Sequence, residues 1–143
     1  MNISFLAEDI ELPQIKKQIV AGWIRTVATN HDKKIGEITY IFCSENKILE
    51  INNQYLGHDY YTDIITFDYT KEDIISGDIF ISPNTVKSNA EELSTSYNEE
   101  LHRVIIHGIL HLCGINDKED RAGMENHENI ALTILPKEAY KTT

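Results

Sequence analysis

Cysteine, proline and long apolar runs are all scarce in this sequence of 143 residues. The two cysteines, Cys43 and Cys113, provide no disulfide framework and predict a reducing compartment, the cytoplasm. No stretch approaches the roughly 18 apolar residues of a membrane span, and residues 1–13 lack the basic start of a signal peptide, so no membrane partner is expected. The three prolines and seven glycines are scattered and form no linker or repeat. We therefore expect a single domain over residues 1–143.

Basic residues are also few, with 13 Lys and Arg against 23 Asp and Glu and a net charge of −10. This balance disfavours a protein that holds nucleic acid by bulk charge alone. The charge is uneven, because residues 91–128 contain nine Asp and Glu against three Lys and Arg, whereas residues 13–34 contain five Lys and Arg against one Asp. The basic stretch is either the solvated face of an amphipathic helix or a polyanion-binding face. Its candidate substrate-binding residues are Lys16, Lys17 and Arg25, with Lys33 and Lys34 next to them.

Apolar spacing and turn residues predict the element order β, α, β, α, β, β, α, α, α. Pro13 suits the first turn of a helix that ends near Asn30, and Ser44 caps a second helix that runs through Tyr55. This order predicts an α+β fold, a small mixed four-stranded sheet packed with about five helices. The last two strands are expected to pair as neighbours. The strands are expected at residues 2–6, 36–43, 64–67 and 78–81.

Cap residues also place the two helices that follow the last strand. Ser82 followed by Pro83 opens the first of them, which runs to about Leu93. Ser96, with Glu99 three residues later, forms a capping box at the start of the next.

That helix is expected to run to about Cys113, where Gly114 stops it. Asp117 is then a plausible cap for the last helix. The residues of the last helix expected to face the core are Met124, Ile130 and Leu132.

The segment with the clearest chemical meaning is HGILHLCGIND, residues 107–117. His107 and His111 are one helical turn apart, so both imidazoles project from one face and can share a metal ion. Gly114 can take a left-handed conformation that folds the chain back and brings Asp117 near the pair as a third ligand. Three protein ligands leave a fourth position open, which is typical of a catalytic zinc that binds and acidifies water. The expected cofactor is one zinc ion per chain.

Other interpretations of this segment remain open. The two histidines could be ordinary helix residues flanked by core side chains, and His127, with Glu125 and Glu128, is a competing source of the third ligand. Cys113 is expected to be a small core residue rather than a ligand, because its side chain points away from the histidine face.

Gly108 occupies the position at which zinc proteases carry the glutamate that serves as general base. A glycine cannot transfer protons, so the base must come from elsewhere or the chemistry must need less of one. Phosphodiester hydrolysis fits, because a metal can supply both the hydroxide and charge neutralisation at a phosphoryl oxygen.

The chain resembles the YbeY family of bacterial metal-dependent endoribonucleases, whose signature reads H-G-x-L-H-L-x-G-x-D-H. The resemblance covers roughly residues 37–132, and four ordered blocks carry it. Besides the signature, the matching parts are NQY at 53–55, TDIITF at 62–67, GDIFIS at 77–82, and Met124 and Glu128 in the last helix.

This resemblance implies a single-strand-specific, zinc-dependent endoribonuclease that acts in ribosomal RNA maturation and small-subunit quality control. It implies a metal helix like that of zinc hydrolases, with His107, His111 and Asp117 as the ligands. It also implies ribosomal RNA, small-subunit proteins and an assembly GTPase as partners.

The sequence departs from the family pattern at two positions. The third histidine of the signature falls at Asp117, an anionic ligand that should lower the acidifying power of the ion. The family's arginine after the NQY block falls at Leu56, so a cation expected to meet substrate phosphate is missing. Arg103, one turn before His107, could substitute for it, or could instead pair with Glu99 or Glu100.

The general base is not assigned by the sequence. Asp63, Asp78 and Glu100 are candidates, although the two aspartates could equally be turn or cap residues. Aromatic side chains near the 56–62 segment could stack on bases or simply pack; they are Tyr55, Tyr60 and Tyr61.

Two further functions compete with the nuclease. A non-catalytic, zinc-stabilised ribosome-assembly factor would tolerate the changes at Leu56 and Asp117. A zinc protease would share the histidine spacing, but Gly108 at the base position argues against it.

Overall fold

The computed structural model describes residues 2–57, 62–116 and 120–140, and within them confirms the predicted α+β fold and element order. Its strands are β1 (Asn2–Ala7), β2 (Lys34–Phe42), β3 (Ile64–Asp68) and β4 (Ile74–Ile81). Its α-helices are α1 (Lys17–Asn30), α2 (Glu45–Leu56), α3 (Pro83–Glu92), α4 (Tyr97–Leu112) and α5 (Arg121–Thr133), and a short 3₁₀ helix follows at Lys137–Tyr140. No helix in the described ranges is long and apolar enough to cross a membrane.

The four strands form one mixed sheet in the order β1-β2-β4-β3. β1, β2 and β4 run parallel, and β3 is an antiparallel edge strand beside β4. The predicted pairing of the last two strands is therefore confirmed. A parallel pair needs a crossover connection, which α1 supplies between β1 and β2.

Side chains alternate between the two faces of the sheet and form two separate apolar clusters. The larger one contains Ile79 and Ile81 of β4 together with buried residues of α1, α4 and α5. The smaller one lies under α2 and includes Ile48, Ile51 and Ile65, with Phe80 packed against it. The sheet thus carries a large core on one face and a small one on the other.

Helix α4 lies deepest in the large core, where most of its residues are buried. The hydroxyl of Tyr40 on β2 donates a hydrogen bond of 2.7 Å to the carbonyl oxygen of Ile105 on this helix. A Cβ at Gly108 would lie 3.0 Å from Cδ1 of Ile79, so the helix backbone runs close against the sheet. This contact fixes the position of the α4 face that carries His107 and His111.

Local cap chemistry was predicted well. Ser44, Ser82 and Ser96 are the N-caps of α2, α3 and α4, and each side chain accepts a backbone N–H three residues on. Glu99 does not complete a capping box, because its carboxylate accepts from the hydroxyl of Thr95 at 2.5 Å.

Several boundaries differ from prediction. The first helix begins at Lys17 instead of Pro13, because the segment before it forms no regular structure and packs Ile10, Leu12 and Ile15 on the core. Strand β2 runs over Lys34–Phe42 instead of residues 36–43, and β4 begins four residues before the predicted start.

The last helix differs as well. Its N-cap is Asp120, which accepts from the N–H of Gly123 at 2.9 Å, whereas the predicted cap Asp117 lies outside the described residues. Ile130 is 54% exposed, so its predicted core role was wrong. The buried face of α5 is set by Met124, Glu128 and Ala131, and Ile130 lies on the other side.

Candidate active site

An open cleft of about 710 Å³ lies between α4, α5, β3 and the end of α2. His107 and His111 of α4 both line it, as the helical spacing predicted. The charged residues that line it with them are Asp63, Glu99, Glu100, Glu125, Glu128, Arg103 and Arg121. The described wall of the cleft is therefore predominantly acidic.

The end of α4 is a Schellman motif. The N–H of Gly114 donates to the carbonyl of His111 at 3.0 Å, and the N–H of Ile115 donates to that of Leu110 at 3.1 Å. Gly114 has φ +99°, a positive value that glycine adopts without steric cost because it has no Cβ. The chain therefore turns directly after His111, as the sequence predicted.

Glu128 connects the two helices at the site. Its Oε2 lies 2.7 Å from Nδ1 of His107, and its Oε1 accepts from the guanidinium of Arg103 at 3.0 Å. A second guanidinium nitrogen of Arg103 donates to Asn129 at 2.8 Å. Arg103 therefore pairs with Glu128 of α5, and the alternative pairing with Glu99 or Glu100 was wrong.

Two carboxyl groups of the cleft are at least partly shielded from water. Burial raises the pKa of the Asp63 carboxyl, although its charged form gains some support from His107 and from the side-chain amide of Asn89, 3.5 Å from Oδ2. Burial also raises the pKa of the Glu100 carboxyl. Raised pKa values in a cleft are typical of groups that hold or transfer protons.

Gly108 faces the sheet, not the cleft. A Cβ at this position would meet Ile79 at 3.0 Å and Ile64 at 3.3 Å. The position that holds the base in zinc proteases therefore has no room here for a longer side chain.

Other candidates lie away from the cleft. Asp78 lies on a shallow depression of β4 with Tyr69, whose hydroxyl donates to it at 3.3 Å. Lys16, Lys17 and Arg25 belong to α1 or its N-cap and do not line the cleft. The geometry does not support Asp78 as the base.

Neither His127, the competing metal ligand, nor Cys113, expected to be a core residue, lines the cleft. The ring of His127 contacts that of His31, with centroids 5.0 Å apart, and His127 does not line the cleft. Cys113 is half-buried against the core, and burial raises the pKa of its thiol to about 11.

Of the candidate base-stacking residues, Tyr55 is 62% exposed and meets Phe67 edge to face. Leu56, at the position of the family's arginine, is 44% exposed and lines the cleft. Tyr60 and Tyr61 lie outside the described residues.

The described residues supply part of a metal-binding site. Among the described ranges no group of three side chains is placed to hold one, and Asp117 lies outside them. His107 and His111 supply two nitrogens on one helix face, and a carboxylate on the second nitrogen of a histidine is the usual support of a metal ligand. This support distinguishes His107 from an ordinary helix histidine.

The spacing of charged residues along α5 contains a signal that the sequence predictions did not include. Arg121, Glu125 and Glu128 stand at i, i+4 and i+7, so they share one helix face, and all three line the cleft. The support that Glu128 gives to His107 and the presence of Arg121 in the cleft were both missed.

Comparison with known proteins identifies the family. The family model described as Endoribonuclease YbeY matches residues 2–135. The chain belongs to the YbeY family. A Parabacteroides distasonis protein named Endoribonuclease YbeY is 66% identical over 140 residues, which are 96% of this chain and 99% of that protein.

Other comparisons agree. A Phocaeicola vulgatus YbeY endoribonuclease is 61% identical over 93% of this chain and 98% of its own length. A Thermotoga maritima protein solved in solution shares 28% identity, with a TM-score of 0.66 over 92% of this chain and 87% of that one. The fold and the family resemblance stated from the sequence are confirmed.

Proposed function

We propose that this chain is a zinc-dependent endoribonuclease that cleaves single-stranded ribosomal RNA during small-subunit maturation and quality control in the cytoplasm. The observation that carries the proposal is the bond between Glu128 and Nδ1 of His107, 2.7 Å long, in a cleft shared with His111. In a member of the YbeY family, this arrangement matches a supported metal ligand.

His107, His111 and Asp117 would hold one zinc ion. Glu128 accepts the Nδ1 proton of His107, which fixes the ring orientation and makes Nε2 the nitrogen that would bind metal. When bound, zinc supplies Lewis-acid chemistry, because it lowers the pKa of a water and neutralises charge that develops on a phosphoryl oxygen.

Asp63 is the preferred candidate for proton transfer. It lines the cleft together with His107, and its pKa is already raised by burial. A general base works best when its pKa is near the working pH. Glu100, close enough to interact with Asp63, is the second candidate and would help to keep a proton in the pair.

The partners proposed are ribosomal RNA, small-subunit proteins and an assembly GTPase. A net charge of −10 opposes tight binding of free RNA. The acidic 91–128 segment suits a basic ribosomal protein, so we expect specificity to come from such partners and from RNA shape.

A non-catalytic assembly factor is the second candidate. It is favoured by the acidic lining of the cleft and by Leu56 at the position of the family's arginine. In that case zinc would stabilise the fold and the domain would act by binding. A protease is disfavoured, because Gly108 packs against Ile79.

The test is metal content by elemental analysis together with cleavage of a structured ribosomal RNA fragment. We expect about one zinc per chain in the wild type, and loss of both zinc and cleavage in His111→Ala. His31→Ala is the matched control, because His31 contacts His127 away from the cleft. A wild type that binds zinc but cuts no more than His111→Ala would favour the assembly factor, and a wild type without metal would overturn the site.

A further inference from the structure

Two arginines line the cleft, and they differ in what they contact. The guanidinium of Arg103 donates to Glu128 at 3.0 Å and to Asn129 at 2.8 Å, so most of its charge is neutralised inside the protein. Arg121 is exposed at the first position of α5 and forms no ion pair within the described ranges. Arg121 thus lines the cleft with a guanidinium that has no ionic partner among the described residues.

Helix stability does not explain an arginine at this position. The first turn of a helix is its positive end, where a cation costs about 0.3–1 kcal/mol. The capping of α5 is done by Asp120, which accepts from the N–H of Gly123 at 2.9 Å. The side chain of Arg121 forms no hydrogen bond with any described residue, so its charge is available to an external anion.

The acidic charge of the cleft favours such a cation for an RNA substrate. The carboxylates in the described lining outnumber the arginines, and they repel a polyanion. Leu56 lines the same cleft but carries no charge. A guanidinium is suited to phosphate because its planar fork donates two parallel hydrogen bonds.

We infer that Arg121 binds a phosphate of the RNA in the cleft and replaces the cation that is missing at Leu56. This inference rests on the proposed nuclease function. It makes Arg121, not Arg103, the residue that sets affinity for substrate, while Arg103 positions Glu128 and through it His107.

The test measures RNA binding and cleavage separately. Zinc-loaded protein is titrated with a fluorescent single-stranded RNA at several salt concentrations, and the RNA is checked on a gel for cleavage. For Arg121→Ala we expect binding weaker by about tenfold and a plot of log affinity against log salt that is flatter by about 0.7, the contribution of one phosphate contact on a single strand. KM should rise with kcat little changed.

Matched variants separate this contact from general charge. Arg121→Lys should restore the salt slope and part of the affinity. Lys71→Ala removes the same charge from an exposed site outside the cleft and should bind RNA as the wild type does. Arg103→Ala is measured in parallel.

The inference is overturned if Arg121→Ala binds within twofold of the wild type with an unchanged slope. It is also overturned if Arg103→Ala alone flattens the slope, or if the wild type binds no RNA. A wild type that binds RNA but does not cut it would contradict the nuclease proposal alone, since the salt slopes still decide whether Arg121 contacts phosphate.

Discussion

Glu128 accepts from His107 through one carboxylate oxygen, at 2.7 Å, and from Arg103 through the other, at 3.0 Å. A single side chain of α5 therefore fixes two residues that lie one turn apart on α4. Both donors need an acceptor, and a carboxylate offers one oxygen to each.

Glu128→Gln should weaken zinc binding by about 10-fold to 100-fold, because an amide has one acceptor oxygen and can serve only one of the two donors. The measurement is competition for zinc with a chromophoric chelator. Glu125→Gln removes the same charge from an exposed residue of the cleft, and this variant should keep the wild-type affinity for zinc. Equal losses in the two variants would mean that cleft charge matters and the bond to His107 does not.

Two glycine substitutions should differ in their effect on the free energy of unfolding. Gly22→Ala in α1 meets nothing within 4 Å and should stabilise the protein by about 0.5–1 kcal/mol. Gly108→Ala gains the same helix propensity but must displace Ile79, which costs about 1–3 kcal/mol. The urea midpoint of Gly108→Ala should be lower than that of Gly22→Ala. Equal midpoints would show that Ile79 can move aside at no cost.

His102 should make the fold sensitive to acid. It is buried, its Nδ1–H donates to Asn98 at 2.6 Å, and its Nε2 has no hydrogen-bond partner within the described residues. Burial lowers its pKa, so the neutral form is the folded one. The contribution of neutral His102 to the free energy of unfolding is complete above its unfolded pKa of about 6.5. It is lost as the pH falls from there toward the lower pKa of the folded state.

In the His102→Gln variant, the slope of unfolding free energy against pH should be smaller below about pH 6.5, by at most about 1.4 kcal/mol per pH unit. Tyr40→Phe is the control, because it loses the buried bond to Ile105 without removing a group that titrates in this range. It should lower stability by the same amount at each pH. A His102→Gln curve parallel to the wild type would contradict the prediction.

Loss of the α4 cap should affect stability but leave the site intact. Ser96 accepts the N–H of Glu99 at 3.0 Å, and Ser96→Ala should cost about 1 kcal/mol. Ser88→Ala, at an exposed position inside α3, should cost little. Zinc affinity should stay at the wild-type value in both variants, and a drop in Ser96→Ala would mean that the start of α4 controls the site.

Local signals account for what the sequence predicted correctly. A serine cap such as Ser44 acts on the N–H of a residue three positions away, and the histidine pair depends only on the helical repeat. Both can be read along the chain without knowledge of the packing.

The predictions failed for features that are determined by packing between helices and strands. The last strand was predicted to begin at residue 78, but Gly77 already lies inside β4, where it pairs with Ile38 of β2 and Asp68 of β3. The support of His107 by Glu128 joins residues 21 positions apart, and it exists only because α5 packs on α4. No local pattern encodes such a contact.

The two apolar clusters of the sheet differ in size, so the two walls of the cleft should differ in their resistance to local opening. α4, with His107, is held in the large core, whereas α2, which brings Asn52 and Leu56 to the opposite wall, rests on a cluster of four buried residues. Local opening is least costly where few apolar contacts must break. Amide hydrogens of α2 should therefore exchange before those of α4, and the cleft should widen from the α2 side, admitting a bulky strand while the histidines stay in place.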